Sequence, residues 1–347
     1  LSYDPFQRGP HPVGVRTYEF IDEARDRRRF PVEVWYPADP SHRGQDLDDA
    51  TADRFEVTPD LPVQIQRAIR AARPGTGRHP LVAYFHGARG DRRRNTNMTT
   101  HLASHGYVVA SPSFRGDTQI DPVADPISQV MGNRPLDARA VLDLFERTVD
   151  ADIAALADLD AIGTCGNSFG GWTALRLNEI DPRPEALLAI VPAVGTSLGN
   201  RMDVDVRGWG RPVPTTIVAG DRDALVPLRN IEELFHSLAE PKRLAVLSNA
   251  GHAHFADQAE QRHENLRATF RQGSAAMGLP PEAIATVAEA LVPFSELCPA
   301  EWGTATANSL CLAHMDAHLK GLDAARDFLA HDLSRSFENR GIDLRVR

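Results

Sequence analysis

Residues 164–172 read TCGNSFGGW, with Ser168 between glycines at 166 and 170. This G-x-S-x-G spacing suits a nucleophilic serine on a sharp strand-to-helix turn, where side chains two positions to either side would collide with the flanking strand and helix. The plainer use of such a serine is as a helix N-cap. A serine hydroxyl is a weak nucleophile at neutral pH, so the chemistry needs a base and an acid that orients it. AGDRDALVP (219–227) offers Asp223 as the acid, with Asp221 as its rival, an aspartate that would equally serve an Asx turn. NAGHAHFAD (249–257) offers His252 as the base, with His254 two residues on. His252 is preferred because it directly follows the Gly-bearing turn and so can point back over the strand ends.

FHGARG (85–90) supplies the remaining requirement. A loop there can present the backbone N–H of Ala88, and the residue after the serine, Phe169, presents a second; together they would hold the oxyanion of an acyl-transfer intermediate. Trp172 and Arg89 are pocket candidates, although an aromatic side chain beside the nucleophile more often packs in the core. Arg92 and Arg93 read as solvated surface side chains, with a preference for anionic substrates as the alternative. The H-x-H pair at 252 and 254 has no third and fourth ligand beside it, so no metal is expected, and no organic cofactor is required.

Eight short runs rich in β-branched and aromatic residues lead into these positions: 13–20, 31–37, 81–87, 107–112, 161–166, 186–192, 214–221 and 243–252. Helical patterns over 97–105, 135–149, from Ser168 to about Asn178, and 227–238 alternate with them. The expectation is one α/β domain over 1–347: a mostly parallel, doubly wound sheet of about eight strands whose first two form an antiparallel hairpin at one edge. Ligands of such sheets bind beyond the carboxyl ends of the strands, where all the candidate residues lie. Two stretches interrupt the alternation. Residues 38–79 hold one helical candidate, PVQIQRAIRAA, and 256–293 form a helical insertion with Leu266, Phe270, Met277, Ile284, Val287 and Leu291 on apolar faces, a lid in one reading and a stabilising appendage in the other.

With 347 residues, 42% hydrophobic content and a formal net charge of −9, the chain can bury a large core and carries no basic track for nucleic acid. No apolar run approaches the ~20 residues that cross a bilayer, so no stable membrane insertion is expected. The opening LSYDPFQRGP has no secretory pattern; the expectation leans cytoplasmic, with secretion left open by a first residue that is Leu. Three cysteines are too few for a disulfide framework; Cys165 reads as a small buried hydrophobe, and a local Cys298–Cys311 bridge is left open. Composition assigns no oligomeric state.

The chain order Ser168, Asp223, His252 is that of the α/β-hydrolase fold. With GPHPVGVRTYEF, FPVEVWYPA, FHG, GNSFGGW and HAHFAD, the chain resembles the bacterial branch of that fold known as predicted dienelactone hydrolases and relatives of plasma-type platelet-activating-factor acetylhydrolase. The resemblance implies a serine esterase acting on a small-molecule carboxylic ester of short to medium acyl length. An amidase, peptidase or acyltransferase on the same residues is the alternative, and a non-catalytic binding protein a further one. Two departures stand out. The acetylhydrolase pattern puts its acid after the strand that follows the nucleophile, where this chain has IVPAVG (190–195) and no carboxylate, so Asp223 takes the role; and a true dienelactone hydrolase carries cysteine where this elbow carries Ser168.

Overall fold

Each of the eight runs becomes a strand of one ten-stranded sheet in the computed structural model, which describes residues 3–57, 62–121, 124–197, 199–273 and 279–347. In chain order the strands are β1 (Val13–Asp22), β2 (Arg28–Pro37), β3 (Ile69–Arg70), β4 (His79–Phe85), β5 (Val108–Pro112), β6 (Ala157–Asn167), β7 (Pro184–Ile190), β8 (Thr215–Gly220), β9 (Lys242–Leu247) and β10 (Leu344–Val346). Across the sheet they run β10-β9-β8-β7-β6-β4-β5-β2-β1-β3. From β9 to β5 every neighbouring pair is parallel. The expected antiparallel hairpin is β1 with β2.

The parallel strands are apolar throughout because both of their faces are covered. Leu81, Ala83 and Phe85 of β4 pack on one side with Leu187 and Ile217, while Val82 and Tyr84 pack on the other with Leu188 and Val218. The longer helices are α1 (Thr96–Ser104), α2 (Ile127–Arg147), α3 (Phe169–Ile180), α4 (Leu228–Ser237), α5 (Ala259–Gln272), α6 (Pro281–Ala290) and α7 (Ala300–His318). Residues of α2, α3 and α4 complete the first layer, and those of α1 and α7 the second.

Several expectations are corrected. PVQIQRAIRAA is not helical: it contains the short strand Gln64–Gln66 and then β3. Buried partners decide this, since Trp35 Nε1 donates to Gln66 Oε1 at 2.7 Å and Gln66 Nε2 to Asp53 Oδ2 at 2.6 Å, bonds that override a weak helical propensity. Arg92 and Arg93 are not solvated. Both pair with the fully buried Glu33, which Arg70 also reaches, and these three guanidinium groups hold the Glu33 carboxyl below its usual range against the opposing effect of burial. Cys298 and Cys311 are not bridged; all three cysteines are free and buried. Helix α2 starts at Ile127, which leaves Pro135 inside it rather than at its first turn.

The insertion contains α5 and α6; their Phe270, Ile284 and Val287, with Leu291 just past the end of α6, form a small core of their own with Leu266 against it. Met277 lies outside the described residues. The same cluster includes Ala224 and Leu225, the two residues after Asp223.

Candidate active site

Ser168 occupies the bend between β6 and α3 with φ 57° and ψ −118°, a backbone conformation costly for a residue with a Cβ. The turn is locked from both sides: Ser168 N–H donates to Ile190 C=O at 2.8 Å, and Ser168 C=O accepts from Ala193 N–H at 3.0 Å. The flanking glycines are required by contact. A Cβ on Gly166 would stand 2.3 Å from Gly170 O, and one on Gly170 only 1.9 Å from Phe85 O. Ser168 is not an N-cap in the hydrogen-bonding sense, because its side chain bonds none of the helix N–H groups.

Asp223 follows β8 and His252 follows β9, so both stand on the carboxyl edge of the sheet, where Ser168 tops β6, two strands from β8 and three from β9. Asp223 Oδ2 is 2.7 Å from His252 Nδ1, and Asp223 Oδ1 accepts the N–H groups of Leu225 and Val226 at 2.8 and 2.9 Å. The Asp223 side chain is wholly buried while that of His252 is 12% exposed, which leaves the far ring nitrogen an outlet. A carboxylate that accepts three hydrogen bonds fixes the imidazole with its proton on Nδ1, and Nε2 is then free to act as a base. Among the described residues no hydrogen bond reaches Ser168 Oγ; such contacts commonly close only when substrate arrives.

The rivals are engaged elsewhere. His254 is fully buried, its Nδ1 accepting Gly251 N–H at 3.0 Å and its Nε2 donating to Cys298 C=O at 3.0 Å, with Phe294 stacked on the ring at 4.7 Å. Asp221 accepts Asn249 N–H at 2.7 Å and pairs with Arg345 at 2.7 Å.

Around the nucleophile, a Cβ on Gly87 would lie 3.3 Å from the Ser168 Cβ, so the Gly87–Ala88 peptide passes beside the serine. Among the described residues neither Ala88 N–H nor Phe169 N–H is taken up by a hydrogen bond. Trp172 is 2% exposed, packs in the core and donates its indole N–H to Asp203 C=O at 3.1 Å, the core role weighed against a pocket role. Arg89 is exposed at the rim of the same loop, with φ 52°, and its backbone N–H is held by Asp117 Oδ1 at 3.0 Å. A cavity of about 840 Å³ opens beside β1 between Arg16, Phe55 and Arg70 and is not lined by any candidate catalytic residue. No cluster of three metal-ligating side chains occurs among the described residues, and no helix there is long and apolar enough to cross a membrane.

Sequence reasoning missed one participant. Arg134, 1% exposed, reaches from α2 to the carbonyls of His86 and Gly87 at 2.9 and 3.1 Å and lies over the rings of Phe114 and Phe169 at 4.3 and 4.4 Å. Pro135 reads in the sequence as a helix start, which hides the preceding turns of α2 and Arg134 with them.

The family model described as the dienelactone hydrolase family matches residues 67–276, a span that contains Ala88, Arg134, Ser168, Asp223 and His252. The chain belongs to the dienelactone hydrolase family. Membership in this family and the doubly wound sheet bear out the α/β-hydrolase fold. Chlorophyllase type 0 of Chenopodium album is 23% identical over 159 residues, or 41% of this chain and 44% of that protein, so the chain spans under half the length of this curated relative. A solved structure of ferulic acid esterase from Streptomyces cinnamoneus aligns with TM-score 0.62 and 24% identity over 90% of this chain and 91% of its own, a likeness of fold.

Proposed function

We propose that this member of the family is a serine hydrolase that cleaves small carboxylic esters of short to medium acyl length through an acyl-enzyme on Ser168. His252 Nε2 takes the Ser168 proton as Oγ attacks the carbonyl carbon, Asp223 holds the imidazole in the required tautomer, and the N–H groups of Ala88 and Phe169 receive the oxyanion. His252 then passes the proton to the leaving alcohol, and water repeats the attack on the acyl-enzyme to release the acid and restore the hydroxyl.

The observation that carries this reading is the 2.7 Å contact of Asp223 with His252 on the strand edge where Ser168 stands in its strained bend. The contact of Ala224 and Leu225 with α5 and α6 supports a covering role for the 256–293 segment. A fluorophosphonate probe should label the protein, with the adduct recovered on the peptide containing Ser168; labelling elsewhere, or none, defeats the mechanism. A panel of p-nitrophenyl esters of graded acyl length, with a feruloyl ester and a dienelactone beside them, then ranks substrates by kcat/KM, and turnover that rises steadily with acyl length beyond the medium range defeats the substrate class.

A further inference from the structure

A fully buried guanidinium has a price in desolvation, and well-packed apolar side chains would often serve stability as well, so what Arg134 holds in place matters. Its Nε donates to Asp117 Oδ2 at 3.0 Å, one terminal nitrogen to His86 C=O at 2.9 Å and Thr173 Oγ1 at 3.2 Å, and the other to Gly87 C=O at 3.1 Å, with Asp117 Oδ2 2.7 Å away. Its hydrogen-bond partners all belong to the two segments that carry the candidate oxyanion donors, or to Asp117, which also holds Arg89 N–H.

Gly87 C=O is the focus. Besides Arg134 it accepts from His86 Nδ1 at 2.7 Å and from Gly90 N–H at 3.2 Å. The His86 ring is available as that donor because its Nε2 accepts Phe114 N–H at 3.1 Å, and because burial and then the charge of Arg134 hold it neutral, well below the usual histidine range. A trans peptide is planar, with C=O and N–H pointing in opposite directions. The Gly87–Ala88 peptide is trans, so pinning its carbonyl inward turns Ala88 N–H outward, away from the core. The next peptide is clamped as well, since Asp117 Oδ1 receives Arg89 N–H at 3.0 Å. On the other side, Thr173 Oγ1 donates to Phe169 C=O at 2.8 Å, and Arg134 covers the Phe169 ring.

We propose that Arg134 is a positioning residue for the oxyanion hole, fixing the Gly87–Ala88 peptide so that Ala88 N–H faces the oxygen that gains charge during attack by Ser168. The proposal rests on the assignment of Ser168 as nucleophile. Without Arg134 the Gly87 carbonyl keeps only the His86 and Gly90 bonds; the peptide is held less firmly, and a rotation would turn its carbonyl towards the oxyanion that its N–H should receive.

The test compares wild type, Arg134→Lys, and the charge-balanced double variant Arg134→Met with Asp117→Asn, which keeps the proposal testable if the single variant does not fold. Active sites are counted by running fluorophosphonate labelling to completion, and kcat, KM and the Ki of a trifluoromethyl ketone are expressed per labelled site. The ketone adds to the serine as a hemiketal whose oxygen occupies the hole. The expected result is a fall in kcat of about 10²- to 10³-fold, the scale of losing one oxyanion donor, with KM within about threefold and a parallel weakening of the ketone. A role in stability alone would lower the melting temperature and leave kcat and Ki per site at wild-type values, and that outcome overturns the proposal. Ser168→Ala run alongside separates the two ideas: if it still turns over ester, the nucleophile assignment fails irrespective of Arg134.

Discussion

Asp223 meets His252 Nδ1 with one carboxylate oxygen at 2.7 Å and gives the other to the N–H groups of Leu225 and Val226. The acid is therefore anchored by the loop that follows it, and its orientation does not depend on the histidine. Replacing only its charge should leave the loop in place and change the proton on the ring.

Asp223→Asn is expected to lower kcat by about 10⁴-fold with KM little changed. The asparagine oxygen can keep the Leu225 and Val226 bonds, which leaves its NH₂ facing Nδ1, forces the proton onto Nε2 and removes the base. Steady-state kinetics with circular dichroism on the same sample checks this; a loss under tenfold would show that the imidazole is oriented by something else.

Ser168→Ala should lower kcat by about 10⁶-fold while the protein stays folded, because alanine removes only the attacking oxygen. The measurement is ester turnover at enzyme concentrations high enough to detect the residual rate. Near-normal turnover by the variant removes the acyl-enzyme mechanism.

His254→Leu and His252→Ala should separate stability from chemistry. His254 spends both ring nitrogens on main-chain groups, so its loss leaves Gly251 N–H and Cys298 C=O unpaired at a cost of about 1–3 kcal/mol each. Turnover per folded molecule should stay within tenfold of wild type at a temperature where the variant is folded. His252→Ala should do the reverse, keeping stability and abolishing turnover; the opposite pattern would make His254 the base.

The strands, the helices that alternate with them and the Ser168, Asp223 and His252 positions were legible because they follow local rules: apolar runs of strand length, a glycine-bounded serine, and polar residues just past strand ends. What was hidden depends on partners distant in sequence. Helix α7 buries Thr306, Ser309, His314 and Asp316 among its apolar residues, which blurs the period that marks an amphipathic helix. Arg92 and Arg93 read as a charged surface because nothing nearby in the sequence shows that Glu33 is buried between them. Arg134 stayed unseen for the same reason: Asp117 and Thr173 are distant from it in sequence, and the His86 and Gly87 carbonyls that it also binds have no letter there.

Gly170→Ala and Gly132→Ala should move stability in opposite directions. At Gly170 the new methyl would come 1.9 Å from the Phe85 carbonyl oxygen, backbone that cannot step aside without parting β4 from the elbow, so a loss of more than about 3 kcal/mol or failure to fold is expected. Gly132 lies within α2 with nothing within 4 Å of the added Cβ, and alanine there should gain about 0.5–1 kcal/mol by helix propensity. Urea unfolding of the two variants checks both; a stable Gly170→Ala protein would mean that the elbow is looser than its contacts indicate.

Stability should fall as the pH is lowered from about 6.5 towards 3, in part through two buried histidines. Burial, and then the neighbouring His105, push His101 down to about 3; burial, and then His318, do the same to His314. In the unfolded chain each takes up a proton near pH 6.5. Between those limits the unfolded state binds more protons than the native one, so the contribution of each histidine is complete above about pH 6.5 and is lost progressively as the pH falls towards 3. Each unit of that window costs about 1.4 kcal/mol per histidine at most. His314 Nε2 donates to Pro214 C=O at 3.1 Å and its Nδ1 lies 3.0 Å from Thr216 Oγ1, contacts that a glutamine can partly keep without titrating. His314→Gln should therefore be less stable than wild type at pH 7.5 and lose less on acidification. Denaturant midpoints measured from pH 7.5 to 4 test this, and parallel curves for the two proteins would mean that His314 takes up its proton in the native state as readily as in the unfolded one.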